Sequence, residues 1–518
     1  MNADLHSQIS QPENSTYNPA CDICRDVKRG LTQPSYIDFG SVNAILAKRR
    51  PCHDALFHFL NRHPSTDSVP NGYRKINLWN MDGTGGEFEL IIDDETWIAS
   101  DHALLEGNVP DTMGTSGLVR LLDADWVEED LLREWLSECL AEHEQTCEDP
   151  FKLSRVSPAW LIDTIDNCLV DGDGVQDYVA LSYRWGTTKQ LQDEINILVT
   201  LQQSGALLQA QFVDFVSPTI RHAMGLVRIM GERYLWVDAL CIVQDKGEET
   251  AAQLRLMGAI YASARLTIVA ADGDASYGIP GLRGISQPRQ LRQIKFPLGQ
   301  DGHVLIRQTP VFRNADGCTP YFVRAWTYQE YMHSKRRLIV GNNQFHWNCC
   351  CMTHHEDMNG ADLGSHKWLA QIQFPNILSG IPDFLELNTV AAEYNSRDLS
   401  FEEDALAGVS GLLSVMSRGF VGGFIYGLPE MCFDAALMWM FKRPLAHETQ
   451  LEQRRVHSGR NHTILQGSTL PSWSWLGWKG AVSLIGREHS QDVVSSGWST
   501  KESRNGTARS PLFRLLHA

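Results

Sequence analysis

Three apolar runs rich in β-branched and aromatic residues punctuate the middle of the chain: YVALSYRWG (Tyr178–Gly186), YLWVDALCIVQD (Tyr234–Asp245) and RLTIVAADG (Arg265–Gly273). Each reads as a buried strand, because alternation with polar residues is lost when both faces of a strand are covered. The intervening chain has helical spacing. FVDFVSPTIRHAMGLVRIMG ends in a helix stopped by Gly231, and GEETAAQLRLMGAIYASA forms a second helix. Farther on, RRLIVGNNQFHWNC reads as a further strand. Strands alternating with helices at this interval predict βαβ units and a parallel sheet covered on both faces. Ligands in such sheets sit at the carboxyl ends of the strands, here Tyr183 to Gly186, Gln244-Asp245 and Asp272-Gly273.

At 518 residues the chain is too long for a single core. The first twenty residues are polar and predict disorder, and 21–151 read as a mixed α/β region. That region holds the short amphipathic pieces CDICRDV and PCHDALFHFL, the strands KINLWN and FELIID, and one helix over Leu131–Cys147 broken by Asp149-Pro150. The strand-rich domain spans 152–356, with its core at 178–331. A mostly helical region with the Trp-dense LPSWSWLGWKG follows over 357–487, and 488–518 read as a flexible tail. The formal net charge of -17 argues against nucleic-acid binding and against docking on anionic membranes. The N-terminus lacks the apolar core of a signal peptide. The most apolar long window, Gly419 to Phe441, contains Pro429, Glu430 and Asp434 and reads as a buried helix rather than a membrane span. A cytoplasmic protein with reduced thiols is the expectation.

Familiar chemical signatures are missing. The chain has no Gly-rich phosphate loop and no G-x-S-x-G nucleophile elbow, and the H-x-E at His354 and Glu356 lacks the P-C-x-x-C of a zinc deaminase. Three clusters hold potential metal ligands: Cys21-x-x-Cys24, the helical face Cys139/His143/Cys147, and Cys349-Cys350-Cys351 with His354 and His355. None alone has the paired spacing of a four-ligand zinc site, so no metal is expected.

RAWTYQEYMHSKRR (Arg324–Arg337) poses a sharper question. On a helix Trp326 and Glu330 share one face, yet Glu330 has His333 at i+3 and Ser334 at i+4, with no lysine or arginine to make an ordinary surface ion pair.

In order along the chain, YVALSYRWG, YLWVDALCIVQD, MGAIYASARLTIVAADG and RAWTYQE resemble the motifs of the fungal heterokaryon-incompatibility (HET) domain, over about 150 residues. The C-x3-H-x3-C helix, Asp404 to Ala407, Gly427 to Pro429 and PSWSW are similar to the flanks of full-length members. Ala325 stands where Gly is usual, Tyr328 where Leu is usual, Thr250 and Gln253 where Trp and Glu are frequent, and Asn348 where an acid is common.

The resemblance implies a role in non-self recognition and programmed cell death. It also implies distant similarity to the Toll/interleukin-1 receptor (TIR) domain, a flavodoxin-like parallel-sheet fold. In several TIR domains a Trp-x-x-x-Glu places a glutamate that cleaves NAD, and Trp326 and Glu330 have that spacing. On this reading Glu330 is the catalytic carboxylate, NAD or a related nucleotide is the substrate, and no cofactor is needed. Ser182, Tyr183, Arg184, Trp185, Asp238, Asp245 and Trp326 are candidates for substrate binding. Each has a structural alternative: core packing for the tryptophans, backbone capping for Asp238 and Glu330, surface pairing for Arg184. The competing function is a non-enzymatic signalling module that oligomerises, or meets an incompatibility partner, through the same domain. A cleft lined by Glu330 favours the enzyme. A Glu330 buried in hydrogen bonds favours the module.

Overall fold

The structure is a computed structural model that describes residues 20–48, 74–80, 86–92, 95–106, 120–186, 194–212, 215–242, 247–297, 302–307, 320–362, 380–442, 453–456 and 470–484. The disorder expected for the first residues, the PCHDALFHFL piece and the C-terminal tail lie outside these residues. The chain divides into two compact units, one drawn from 1–125, 290–310 and 355–361, the other from 126–289, 311–354 and 362–518.

With strands numbered along the chain, the first unit holds β1 (Ser35–Ser41), β2 (Lys75–Asn80), β3 (Gly86–Ile92), β4 (Glu95–Glu106), β10 (Ile294–Pro297) and β11 (Gly302–Arg307). They form an antiparallel sheet in the order β1-β2-β3-β4-β11-β10. The Asp22–Thr32 helix buries Cys24, Val27 and Leu31, the i, i+3, i+7 stripe of an amphipathic helix.

The second unit is built on β5 (Trp160–Asp163), β6 (Cys168–Asp171), β7 (Val179–Tyr183), β8 (Tyr234–Trp236), β9 (Leu266–Ala270), β12 (Arg336–Gly341) and β13 (Gln344–Cys349), ordered β13-β12-β9-β7-β8-β5-β6. Only the central β12, β9, β7 and β8 run parallel. In chain order these four take the spatial order 2-1-3-4. The edges are antiparallel, so the sheet is mixed rather than wholly parallel. RRLIVGNNQFHWNC is therefore two strands: Asn342 and Asn343 adopt φ of 54° and 58°, as a type I′ hairpin turn requires. Both turn amides donate to Asp272, one to each carboxylate oxygen, at 2.8 Å.

YLWVDALCIVQD is also shorter as a strand than expected. Its ladder covers Tyr234–Trp236 alone, and Asp238–Cys241 form a single helical turn. Asp238 accepts the Ala239 N–H at 2.8 Å, the local bond by which an aspartate draws backbone out of a ladder. The Leu131–Cys147 helix is likewise two pieces, Glu129–Glu142 and Glu144–Cys147.

Helices Pro218–Ile229, Gly247–Ser263 and Ala325–His333 lie in the connections between the parallel strands. Apolar residues pack on both faces of the sheet, Ile268, Leu338 and Val340 with one cluster and Val269 and Ile339 with the other. In the C-terminal part, Phe384–Asn395 and Ala407–Met416 are helices, but the Gly419–Phe441 window is not. Gly422, Gly423 and Gly427 take positive φ, a 2-residue ladder joins Phe424–Ile425 to Leu428–Pro429, and Phe433–Ala436 is a lone turn. Within PSWSW, Ser474 and Trp475 bond the carbonyls of Tyr426 and Gly427 at 2.6 and 3.0 Å. This pairing holds that window in loops. Among the described residues no helix is long and apolar enough to cross a membrane.

Asp272 holds the hairpin turn beside β9. Asp272→Ala leaves two turn amides without their acceptor and is expected to cost about 1–3 kcal/mol, read as a lower urea midpoint with an unchanged m-value.

Candidate functional site

The Ala325–His333 helix buries every residue except Trp326, so its burial does not follow an amphipathic stripe. It fits because its neighbours lack side chains where it enters. A Cβ on Gly258 would come 3.0 Å from the His333 ring, and one on Gly411 would come 2.9 Å from Gln329 and 3.1 Å from His333. Several polar groups at this helix have specific partners. Gln329 Oε1 accepts the Gly411 N–H at 2.8 Å, and the Ser334 hydroxyl donates within 2.7 Å of both the Glu330 carbonyl and Thr267 Oγ1.

Glu330 is 2% exposed. The Ser182 hydroxyl, near the carboxyl end of β7, donates to its Oε2 at 2.5 Å, and the Tyr261 hydroxyl approaches the same oxygen at 3.2 Å. Tyr321 OH stands 2.6 Å from Ser182 Oγ. Tyr261 also reaches the Leu181 carbonyl at 3.0 Å, so its single proton faces two acceptors. A protonated Glu330 relieves that shortage by supplying the second proton itself. Burial first, and then the nearby Asp238 charge, raise the Glu330 pKa to about 7, against the opposing pull of Arg324 and the hydroxyls.

Asp238 follows β8 and accepts the Trp185 indole N–H at 2.8 Å. Burial raises its pKa to about 6, with Arg324 the largest opposing influence. Arg324, immediately before the helix, lies over the Trp185 ring at 5.3 Å and donates to the Tyr183 carbonyl at 3.5 Å. The structure therefore gathers Ser182, Tyr183, Trp185, Asp238 and Glu330 around one arginine beyond the carboxyl end of β7.

Other sequence candidates stand apart. Arg184 is exposed and acts electrostatically on Asp274. Trp326 is half-buried, and its indole bonds the Asp404 carboxylate. Asp245 lies outside the described residues. Tyr261, Tyr321 and Arg324 were not singled out as site residues from the sequence. Arg324 was the findable one, being the first residue of the RAWTYQE motif. Two of the cysteine clusters, treated separately above, converge: Cys139, His143, Cys147 and Cys349 have their ligand atoms within 4.8 Å of one another.

Residues 178–330 match the family model described as heterokaryon incompatibility protein (HET). Over 94 residues, 18% of this chain, the sequence is 34% identical to "Heterokaryon incompatibility protein 6, OR allele" of Neurospora crassa. The matched part is 14% of that protein's length. No solved structure matches the chain. The matched range contains every residue of the cluster beyond β7. The segment 178–330 is thus similar to the heterokaryon incompatibility (HET) family.

Proposed function

We propose that the chain is a heterokaryon-incompatibility protein acting in fungal non-self recognition and programmed cell death, with its HET domain a TIR-like NAD glycohydrolase centred on Glu330. The observation that supports this is the convergence of two buried carboxylates, Asp238 and Glu330, on Arg324 at the end of β7. Burying acids is costly, and a shared site that pushes two of them toward neutrality is more characteristic of chemistry than of packing. The four parallel strands follow the first four places of the 2-1-3-4-5 order of flavodoxin-like sheets, whose ligands sit at the switch point between the first and third strands; the corresponding strands are β7 and β9.

In the proposed reaction the bond between nicotinamide and ribose breaks, and nicotinamide leaves as a neutral base with the bonding pair. Ionised Glu330 stabilises the oxocarbenium-like ribose, water adds to the anomeric carbon, and ADP-ribose and a proton are released. Asp238 is suited to the ribose hydroxyls. Because Glu330 is covered, turnover requires a trigger that opens the helix start at Arg324, and self-association or an incompatibility partner is the proposed source.

The second reading, a non-enzymatic module that signals by assembly, draws on that same burial: Glu330 is enclosed by hydroxyl partners.

Nicotinamide release from NAD by the purified chain, alone and artificially clustered, separates the two. Wild type is expected to turn over once clustered, with Glu330→Gln slower by roughly 10²-fold or more. Equal rates remove Glu330 from the mechanism, and no turnover by either protein favours the module. Because ionised Glu330 is the active form, the rate is expected to rise with pH through about 7.

Stability gives an independent check. Glu330 keeps its proton in the folded state up to about 7, against an ordinary value of 4.5, so the folded state binds more protons across that window and loses stability as pH rises. Glu330→Gln removes this slope. Its melting temperature relative to wild type is expected to improve between about pH 5 and about pH 8.

A further inference from the structure

Away from the Glu330 cluster, the second unit brings three thiols and an imidazole to one point. Cys139, His143 and Cys147 occupy successive turns of one helical face. The register survives the break at His143, because the His143 N–H donates to the Cys139 carbonyl at 3.1 Å and the Cys147 N–H to the His143 carbonyl at 2.8 Å. The fourth residue, Cys349, ends β13 and faces the helix, with its Sγ 3.7 Å from His143 Nδ1. Cys139 and Cys147 are fully buried, and Cys349 is nearly so.

A tetrahedral zinc site with Zn–S bonds of about 2.3 Å separates sulfur from sulfur by roughly 3.8 Å and sulfur from nitrogen by roughly 3.6 Å. The His143–Cys349 separation already matches, and the outer limit of 4.8 Å leaves about 1 Å to close. The surroundings suit bound thiolates. The Arg336 guanidinium, wholly buried, donates through Nε to Cys139 Sγ at 3.2 Å, and the Met352 N–H donates to Cys349 Sγ at 3.4 Å. Three thiolates, one neutral imidazole and Zn²⁺ carry a net charge of -1, which the adjacent guanidinium offsets. Donors aimed at the sulfurs are the outer-shell partners that metal thiolates require.

We infer that Cys139, His143, Cys147 and Cys349 form a structural zinc site that fastens the helix preceding the HET segment to the strand following it. All four positions are filled by protein, which leaves none for substrate and marks the site as structural. Cys351 is the competing ligand, its Sγ 3.8 Å from that of Cys147. Cys350, which is exposed, is not a ligand on this reading.

The test measures metal on the full chain purified without added chelator. About one zinc per chain is expected, with removal by a strong chelator lowering the melting temperature and Zn²⁺ restoring it. Cys349→Ser and Cys139→Ser should each abolish stoichiometric zinc, whereas Cys350→Ser and Cys351→Ser should retain it. Loading the wild-type chain with Co²⁺ keeps the test independent of whether variants fold: thiolate-to-cobalt charge transfer with intense tetrahedral d–d bands is expected. A weak octahedral cobalt spectrum would overturn the assignment. So would a folded chain whose melting is indifferent to Zn²⁺, zinc retained by Cys349→Ser, or a disulfide among these cysteines.

Discussion

The second unit turns on one buried polar contact, the Ser182 hydroxyl against the Glu330 carboxylate. It joins the central strand of the sheet to a helix buried nearly all round, and the other features of the site follow from accommodating that helix. Gly258 and Gly411 make room for Gln329 and His333, the tyrosines at 261 and 321 complete the hydroxyl network, and Arg324 is brought over Trp185 beside Asp238. Removing a carboxylate from water is unfavourable unless it is bonded or neutral. Here both remedies operate, through the surrounding hydroxyls and a proton retained toward neutral pH.

The quoted motifs bring their polar groups to this one cluster: Ser182 from the first, Asp238 from the second, Tyr261 from the third, and Arg324 and Glu330 from the fourth. The departures at Ala325 and Tyr328 lie within the helix itself: both are fully buried, and Tyr328 packs under the Arg397 guanidinium at 4.5 Å.

Much of the fold was legible because burial on both faces leaves a plain signal. The runs at 179–183 and 266–270 and the two crossover helices stand where the sequence puts them. The misreadings share a cause. Asp238 turned a strand into a helical turn through a bond to its own neighbour, and a pair of asparagines split a strand in two. The pairing of Tyr426 and Gly427 with PSWSW held an apolar window in loops. Each depends on a side chain meeting a particular backbone group, which hydrophobic periodicity does not register. Within the site, Glu330 was legible as an acid lacking an obvious partner and Asp238 as an acid inside an apolar run, whereas Arg324, inside the quoted motif, needed three dimensions to show whom it serves. Cys349 belongs with the 139–147 helix only because the order of the sheet brings β13 there.

The helix start carries one more consequence. Arg324 forms a parallel bridge with Asp398: the Ala325 N–H donates to the Asp398 carbonyl at 2.8 Å, and the Asp398 N–H to the Val323 carbonyl at 2.6 Å. The backbone on which Glu330 depends is thus completed by chain lying well beyond residue 330. Sequence similarity stops at one place and cooperative folding at another. A fragment cut to the matched boundary would carry the four motifs and still lack the backbone bridge at Arg324.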